Sequence, residues 1–390
     1  VARAAVVRLK RGHEQRARTH PWIFKGDVAD VADVTPGDVV TVRDAGGRFV
    51  GRGVFNSRPA LCCRILTWTD EPVDAAFIAR RIATALAARA RRPSPELGRL
   101  VWSEADGLPG LVVDRYGPVV VVQCGTLGMV RFRTAVVAAL RSRLGDLPIM
   151  SMDDPTMAGL EGFAPAAGWI DQPGPEEVIV DELGVWLAVR PGSGHKTGFY
   201  LDQADNRVRV ARDVGPGATL DVFAYTGAFA CHALRAGAAR AVCVESSPEA
   251  GAAARRNFEL NGFAGRAEVR AVNAFDELRR LERARERFDL VVLDPPPFAR
   301  GRTALAAALR GYKEINLRAL RLLRAGGRLA TFSCSHHVDQ DTFERTVREA
   351  ADDASVRLRV LDRLGQAPDH PVLLTVPETR YLKGLLLEAL

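Results

Sequence analysis

The sequence predicts an α/β protein in which a Rossmann-like, doubly wound domain follows a small β-barrel and a small α+β module. Three observations predict it. After about residue 185, short Val- and Leu-rich runs alternate with helical periodicity, as parallel strands joined by crossover helices do. Before about residue 70, short β-like runs are separated by the turn signals Pro36-Gly37-Asp38, Gly46-Gly47 and Asn56-Ser57, a spacing that suits a barrel. At 390 residues the chain also exceeds what one hydrophobic core usually fills, so two or three domains are expected. The expected divisions are 1–70, 71–184 and 185–390.

In the first section the run His20-Pro21-Trp22-Ile23-Phe24-Lys25 lies among Arg8, Lys10, Arg11, Arg16 and Arg18. Basic side chains interleaved with aromatics suit a phosphate backbone and stacked bases, which makes Arg8, Lys10, Trp22 and Lys25 candidates for nucleic-acid contact. A solvated face beside a core Trp explains the same residues. The net charge of +7 favours a polyanionic partner, although an Arg-rich, Lys-poor chain also arises from a GC-rich genome. An Ala- and Arg-rich helix is expected over 72–92, ended by Pro93 and Pro95. The middle section offers strands at 110–113 and 119–123 and a helix at 132–144.

No apolar run is long enough to span a bilayer as a helix, and Arg3, Arg8, Lys10 and Arg11 interrupt anything resembling a signal peptide. The six cysteines are scattered without zinc-ligand spacing. A cytoplasmic protein with reduced, mostly buried thiols and no membrane partner is therefore expected.

In the last section strands are expected at 219–224, 241–245, 267–271, 290–294 and 328–333, with helices at 228–236 and 248–260. Ligands of such folds sit beyond the carboxyl ends of the strands. The first strand ends in Asp221 and runs through Phe223, Tyr225 and Gly227, and the second ends about twenty residues later in Glu245, followed by Ser246. A glycine at the turn lets backbone approach a ligand, and an acid there can accept hydrogen bonds from both ribose hydroxyls. Only one glycine of a dinucleotide fingerprint is present, so S-adenosylmethionine is favoured over NAD. An ordinary βα turn also explains Gly227. After the third strand, Asn273 and Ala274 with Phe275 suit an adenine edge, or equally a turn Asn and a core Phe. The run from Gly192 to Thr197 lacks the glycine a phosphate-binding loop needs before Lys196.

The fourth strand ends in Asp294-Pro295-Pro296-Pro297-Phe298. Consecutive prolines fix an extended backbone and offer carbonyls, so a planar base can lie beside Asp294; a turn that merely ends the strand is the alternative. The fifth strand ends in Ser333-Cys334-Ser335, followed by His336-His337. Neighbouring fourth and fifth strands would put Asp294 and Cys334 at one crevice. Carbon 5 of cytosine becomes nucleophilic once a thiolate adds at carbon 6, which is chemistry suited to Cys334, with Asp294 hydrogen-bonding N3 and the exocyclic amine. Adjacent histidines rarely converge on one ion, so no metal is expected.

Taken together, the chain resembles the PUA-domain-containing large-subunit (23S) ribosomal RNA cytosine-5 methyltransferases, a class I S-adenosylmethionine-dependent family. The resemblance covers nearly the full length. It rests on the run from His20 to Phe24, on Asp106-Gly107-Leu108-Pro109-Gly110, on Gly194 to Gln203, and on the strand-end motifs above. It continues through Asp369-His370-Pro371, Pro377-Glu378 and Tyr381-Leu382-Lys383-Gly384. It implies a PUA-like barrel that docks 23S ribosomal RNA, free or in an assembling subunit, and Cys334 as the nucleophile, beside the catalytic Asp294 expected from the strand ends. Pro295, Pro296 and Phe298 would hold the base. It further implies a cofactor site from Asp221 to Gly227 with Glu245, closed over by the segment 196–206, where Lys196, Tyr200, Asp202 and Gln203 are candidates and Arg207 lies just beyond.

Some positions depart from that pattern. Ala204 stands where relatives commonly carry Arg, and Asn273 where many carry Asp. Pro297 replaces the second cysteine that another group of RNA cytosine-5 enzymes places there, so release cannot use a second thiol. The alternatives are a guanine-nitrogen RNA methyltransferase of the same fold, or a non-catalytic RNA-binding or ribosome-assembly factor. The sequence leaves a homodimer open.

Overall fold

The computed structural model describes residues 5–193, 196–212, 214–298 and 301–390. Gly194 and His195 of the motif before the last section lie outside these. The chain forms two compact units: Val1–Val180 with Val189–Leu201 and Pro368–Thr379, and Asp181–Ala188 with Asp202–Ala367 and Arg380–Leu390.

The first unit holds two sheets. One is a mixed six-stranded sheet in the order Trp22–Phe24, Leu61–Thr67, Phe49–Phe55, Val39–Arg43, Val6–Leu9, Val28–Ala32. Alternation in Val39–Arg43 turns Val40 and Val42 into a core with Val7, Leu9, Ile23 and Ile65. The other has five strands, in the order Ala167–Ile170, Ile149–Met152, Val119–Cys124, Leu111–Tyr116, Leu97–Trp102. Helices Ala75–Arg89 and Leu127–Leu144 accompany it. The second starts at Leu127 rather than 132 because the Thr126 hydroxyl caps it, accepting from Met129 N at 3.3 Å.

Val54 and Leu66 of the six-stranded sheet share one core with Phe77, Ile78, Val101, Leu111 and Val122. Both sheets thus belong to one compact unit with a shared core. Buried ion pairs knit in distant segments. Arg99 makes a two-pronged bond to Asp114 at 2.8 and 2.8 Å, and Thr197 donates to the same carboxylate. Arg89 grips Asp106 and donates to Asp369 O at 3.0 Å, while the Asp369 carboxylate accepts from Arg99 N at 2.7 Å and pairs with Arg92.

The second unit is built on a seven-stranded sheet: β1 (Ala218–Val222), β2 (Arg240–Val244), β3 (Ala267–Arg270), β4 (Phe288–Leu293), β5 (Leu323–Ser333), β6 (Leu358–Gly365) and β7 (Lys383–Ala389). Their order is β3-β2-β1-β4-β5-β7-β6, with β1 to β5 parallel and β7 antiparallel to both its neighbours. Its helices are α1 (Ala204–Ala211), α2 (Ala228–Arg235), α3 (Pro248–Leu260), α4 (Ala274–Arg283), α5 (Leu305–Arg321) and α6 (Gln340–Ala354). Every residue of β1 is buried, as a central parallel strand covered on both faces requires. The five expected strands are present, although β5 begins at Leu323 instead of 328; β6 and β7 carry no signal used above. No described helix is long and apolar enough to cross a membrane.

Candidate active site

The switch in strand order between β1 and β4 opens a crevice at the carboxyl ends of the strands. Asp221, in β1, is buried. Its Oδ2 accepts from Ala230 N in the first turn of α2 at 3.1 Å, and its Oδ1 has no hydrogen-bond partner. Burial, with the Asp294 and Glu245 carboxylates nearby, pushes the Asp221 carboxyl up to about 7.

The loop after β1 is contorted: Phe223 and Tyr225 have φ of 63° and 49°, left-handed values that side chains rarely adopt. Several hydrogen bonds hold it. Phe223 N donates to Val244 O at 2.9 Å, and Tyr225 N donates to Glu245 Oε2 at 2.9 Å. Glu245 Oε1 also accepts from Ser247 N at 2.8 Å and has the Ser246 hydroxyl 3.5 Å away. Gly227, with φ of 70°, begins α2, and a Cβ there would meet Phe258 Cζ of α3 at 2.8 Å. Turn geometry and helix packing therefore both demand glycine.

Asn273 caps α4, its Oδ1 accepting from Phe275 N at 2.9 Å and from Asp276 N at 3.4 Å, with Ala274 buried behind it. Of the two roles the sequence allowed, the structure displays the turn and cap, which occupy the amide oxygen. Asp202 and Gln203 are buried before α1. Asp202 Oδ2 accepts from the Tyr381 hydroxyl at 2.5 Å; Gln203 Oε1 accepts from Asn206 Nδ2 at 2.6 Å, while Gln203 Nε2 is buried without a partner. Arg207 is clamped by Glu182, each of two nitrogens lying 2.6 Å from a carboxylate oxygen. Lys196 and Tyr200 belong to the first unit, where the Lys196 ammonium lies 4.5 Å from the centre of the Tyr200 ring.

Asp294 and Pro295 follow β4, and Ser333-Cys334 ends the parallel neighbour β5. The two segments meet: Cys334 Sγ lies 3.9 Å from Pro295 O. Pro296 is exposed, whereas Phe298 turns inward among Tyr312, Phe275 and Phe223, with ring centres 4.7, 6.0 and 6.3 Å away. Phe298 thus belongs to an aromatic cluster packed against the core of the sheet. Both serines flanking Cys334 are tied to the Tyr312 hydroxyl of α5, each at 3.0 Å. Cys334 is partly exposed, whereas the other five cysteines are buried and burial drives their thiols up, that of Cys124 to about 12.

One charged residue at this end of the sheet was not singled out from sequence. Lys383 opens β7 opposite Ser333, is buried, and donates from Nζ to Ser335 O and Tyr381 O, both at 2.8 Å. The run Tyr381-Leu382-Lys383-Gly384 was the available signal, but only the insertion of β7 beside β5 gives it this place.

The nucleic-acid candidates lie on the six-stranded sheet. Arg8 pairs with Asp30 at 3.7 Å, Lys10 donates to Gly26 O at 2.8 Å, and Lys25 donates to Arg58 O at 3.1 Å. Trp22 is half-buried, its Nε1 donating to Glu104 Oε1 at 2.9 Å, with His20 and Phe24 against its ring. Trp22 is therefore packed and bonded within the fold rather than held out as a free stacking platform.

The orphaned Asp221 Oδ1 and Gln203 Nε2 are an acceptor and a donor, buried at a cost unless a ligand meets them. Together with the glycine turn and Glu245 they fit an amino-acid-bearing nucleoside. Comparison with known proteins agrees. Residues 7–68 match the PUA-like domain family, and residues 164–387 match the family of S-adenosylmethionine-dependent methyltransferases. The chain is 38% identical over 379 residues to Ribosomal RNA large subunit methyltransferase I of Alteromonas mediterranea, covering 95% of each chain. It is 39% identical over 388 residues to the protein of the same name from Shewanella denitrificans, covering 97% of this chain and 98% of the relative. Among solved structures, a methyltransferase complexed with SAH superposes with a TM-score of 0.86 at 18% identity, covering 98% of this chain and 99% of the other. An S-adenosylmethionine-dependent methyltransferase from Streptococcus mutans gives 0.84 at 18% identity over the same shares.

Proposed function

Because the chain belongs to the S-adenosylmethionine-dependent methyltransferases, within the ribosomal RNA large subunit methyltransferase I family, we propose that it forms 5-methylcytosine in 23S ribosomal RNA with Cys334 as nucleophile. The observation that carries this reading is the meeting of the one partly exposed thiol with the Asp294-Pro295 segment at adjacent strand ends.

When bound, S-adenosylmethionine supplies a methyl group activated by its sulfonium sulfur. Asp221, Gln203 and Glu245 would hold it at the end of β1. The Cys334 thiolate gives its electron pair to carbon 6 of cytosine, forming a C–S bond and making carbon 5 electron-rich. Asp294, taking up a proton from solvent as the base binds, donates it in a hydrogen bond to N3 and accepts from the exocyclic amine, which supports charge arriving on N3. Carbon 5 then takes the methyl group; its proton passes to solvent water, the C5–H electron pair restores the double bond between carbons 5 and 6, and the C–S pair returns to Cys334. Tyr312, through Ser333 and Ser335, keeps the thiol from turning away from Pro295. The PUA-like sheet, with Arg8, Lys10 and Lys25 on it, would dock the RNA by its phosphates.

Incubation with cofactor and ribosomal RNA containing 5-fluorocytosine tests this proposal. Fluorine cannot leave as a proton does, so a covalent protein–RNA band resistant to denaturation is expected from the wild type and absent from Cys334→Ala. Full methylation by Cys334→Ala would instead point to a guanine-nitrogen target, and no label in any RNA would point to a binding factor.

A further inference from the structure

We propose that Lys383 is the positioning residue that favours the Cys334 thiolate, a fixed ammonium built in behind the nucleophile. The inference rests on the reading of Cys334 as nucleophile and adds what prepares it for attack.

The placement is specific. β7 runs antiparallel to β5 with Lys383 opposite Ser333, one residue before the thiol. The side chain is buried, and Nζ is fixed by the carbonyls of Ser335, one residue after the thiol, and of Tyr381. Two carbonyls on an ammonium anchor it without neutralising it, so its charge stays available to a neighbouring anion. A Lys at a strand end ordinarily extends into water; here desolvation is accepted in order to keep a cation at this spot.

The surrounding groups agree. Burial brings the Lys383 ammonium down to about 8, while the Cys334 thiol and the Asp339 carboxylate pull it back up. Linkage is mutual, so the cation favours the ionised thiol to the same degree. From the segment leading to α6, burial and then Lys383 and His337 keep His336 below the ordinary histidine range, so it is a neutral neighbour. Tyr312 of α5, pushed up by burial, and Tyr381, which donates to Asp202, are neutral too. Asp339, which caps α6, and Asp294, which follows β4 next to Pro295, are the opposing acids. In the reaction Lys383 keeps its protons: Cys334 loses its proton to solvent, attacks as thiolate, and recovers the same electron pair on release.

The test reads the thiol directly. In the full-length protein, the rate of iodoacetamide alkylation followed against pH, with Cys334→Ala identifying the signal, gives the midpoint for Cys334 ionisation. Lys383→Met is expected to move that midpoint upward by about one pH unit, leaving about tenfold less thiolate near neutrality, with Lys383→Arg restoring it. The acid limb of the methylation pH profile should move in step. Asp339→Asn, which keeps the helix cap but removes its opposing charge, is expected to move the midpoint down, and reads the same field if Lys383→Met does not fold. An unmoved midpoint in folded Lys383→Met or in Asp339→Asn overturns the proposal. Methylation surviving in Cys334→Ala defeats the nucleophile instead, a separate outcome from a failure of Lys383 to tune the thiol.

Discussion

Asp221 is a carboxyl that folding has left short of partners, with one oxygen bonded to Ala230 N and the other bare. Burial and then its acidic neighbours raise it to about 7, so in the free protein its favourable contribution is fully present below the ordinary carboxylate range and is lost as pH rises through about 7. A cationic ligand reverses that preference. Binding of S-adenosylmethionine near pH 7 is therefore expected to release a fraction of a proton. Titration calorimetry in two buffers of different ionisation enthalpy measures it. Asp221→Asn should abolish the release, and undiminished release in that variant would assign the proton elsewhere.

At the scale of elements, the pair Glu182–Arg207 ties the hairpin Val178–Glu182 and Val185–Val189 to α1, and His232 of α2 adds a third contact at 3.1 Å. Against burial, which raises it, Arg207 and His232 hold Glu182 down to about 2. The sign is that of a depressed acid: the stability is present above the ordinary carboxylate range and is lost as pH falls toward about 2. Glu182→Gln removes the carboxylate that grips a buried guanidinium with two bonds and should cost about 3–5 kcal/mol in denaturant titration, with a flatter loss of stability in acid. A change below 1 kcal/mol would mean that the pair is dispensable.

Elements also mark the reach of sequence reasoning. β1, β2 and β4 are apolar runs ending in an acid or a proline, and such runs declare themselves. β7 does not, because Leu385-Leu386-Leu387-Glu388-Ala389 is made of good helix formers and becomes a strand only between β5 and β6. Lys383 was hidden for the same reason. Cys334 and Asp294 were legible because parallel order makes the ends of β4 and β5 adjacent. Asn273 and Trp22 were left between two roles, since one residue can serve a cap or an adenine, a core or a base, and only the partners seen in the fold separate them. Arg207, expected near the cofactor segment, was not legible as Glu182's partner because the two are brought together by folding alone.

On the scale of the whole molecule, each unit is assembled from three separate stretches of chain. The short stretch Pro368–Thr379 contributes Asp369, whose carboxylate meets Arg92 and the Arg99 amide. Asp369→Ala should strip these partners and the His370 Nδ1 contact at 2.8 Å at once and destabilise the protein by about 3–5 kcal/mol, seen as a lowered melting temperature and faster proteolysis within the five-stranded sheet. Unchanged melting would show that the surrounding apolar core suffices.

That interleaving sets a timetable. During synthesis, Arg89, Arg92 and Arg99 are made long before Asp369, so the sockets around them stay unfilled until Asp369 has been made. The stretch that completes the first unit is followed within a few residues by β7, which brings Lys383 beside Cys334. A chain halted before that point would carry the cysteine but not the lysine, so a truncated product would be born without a primed thiol.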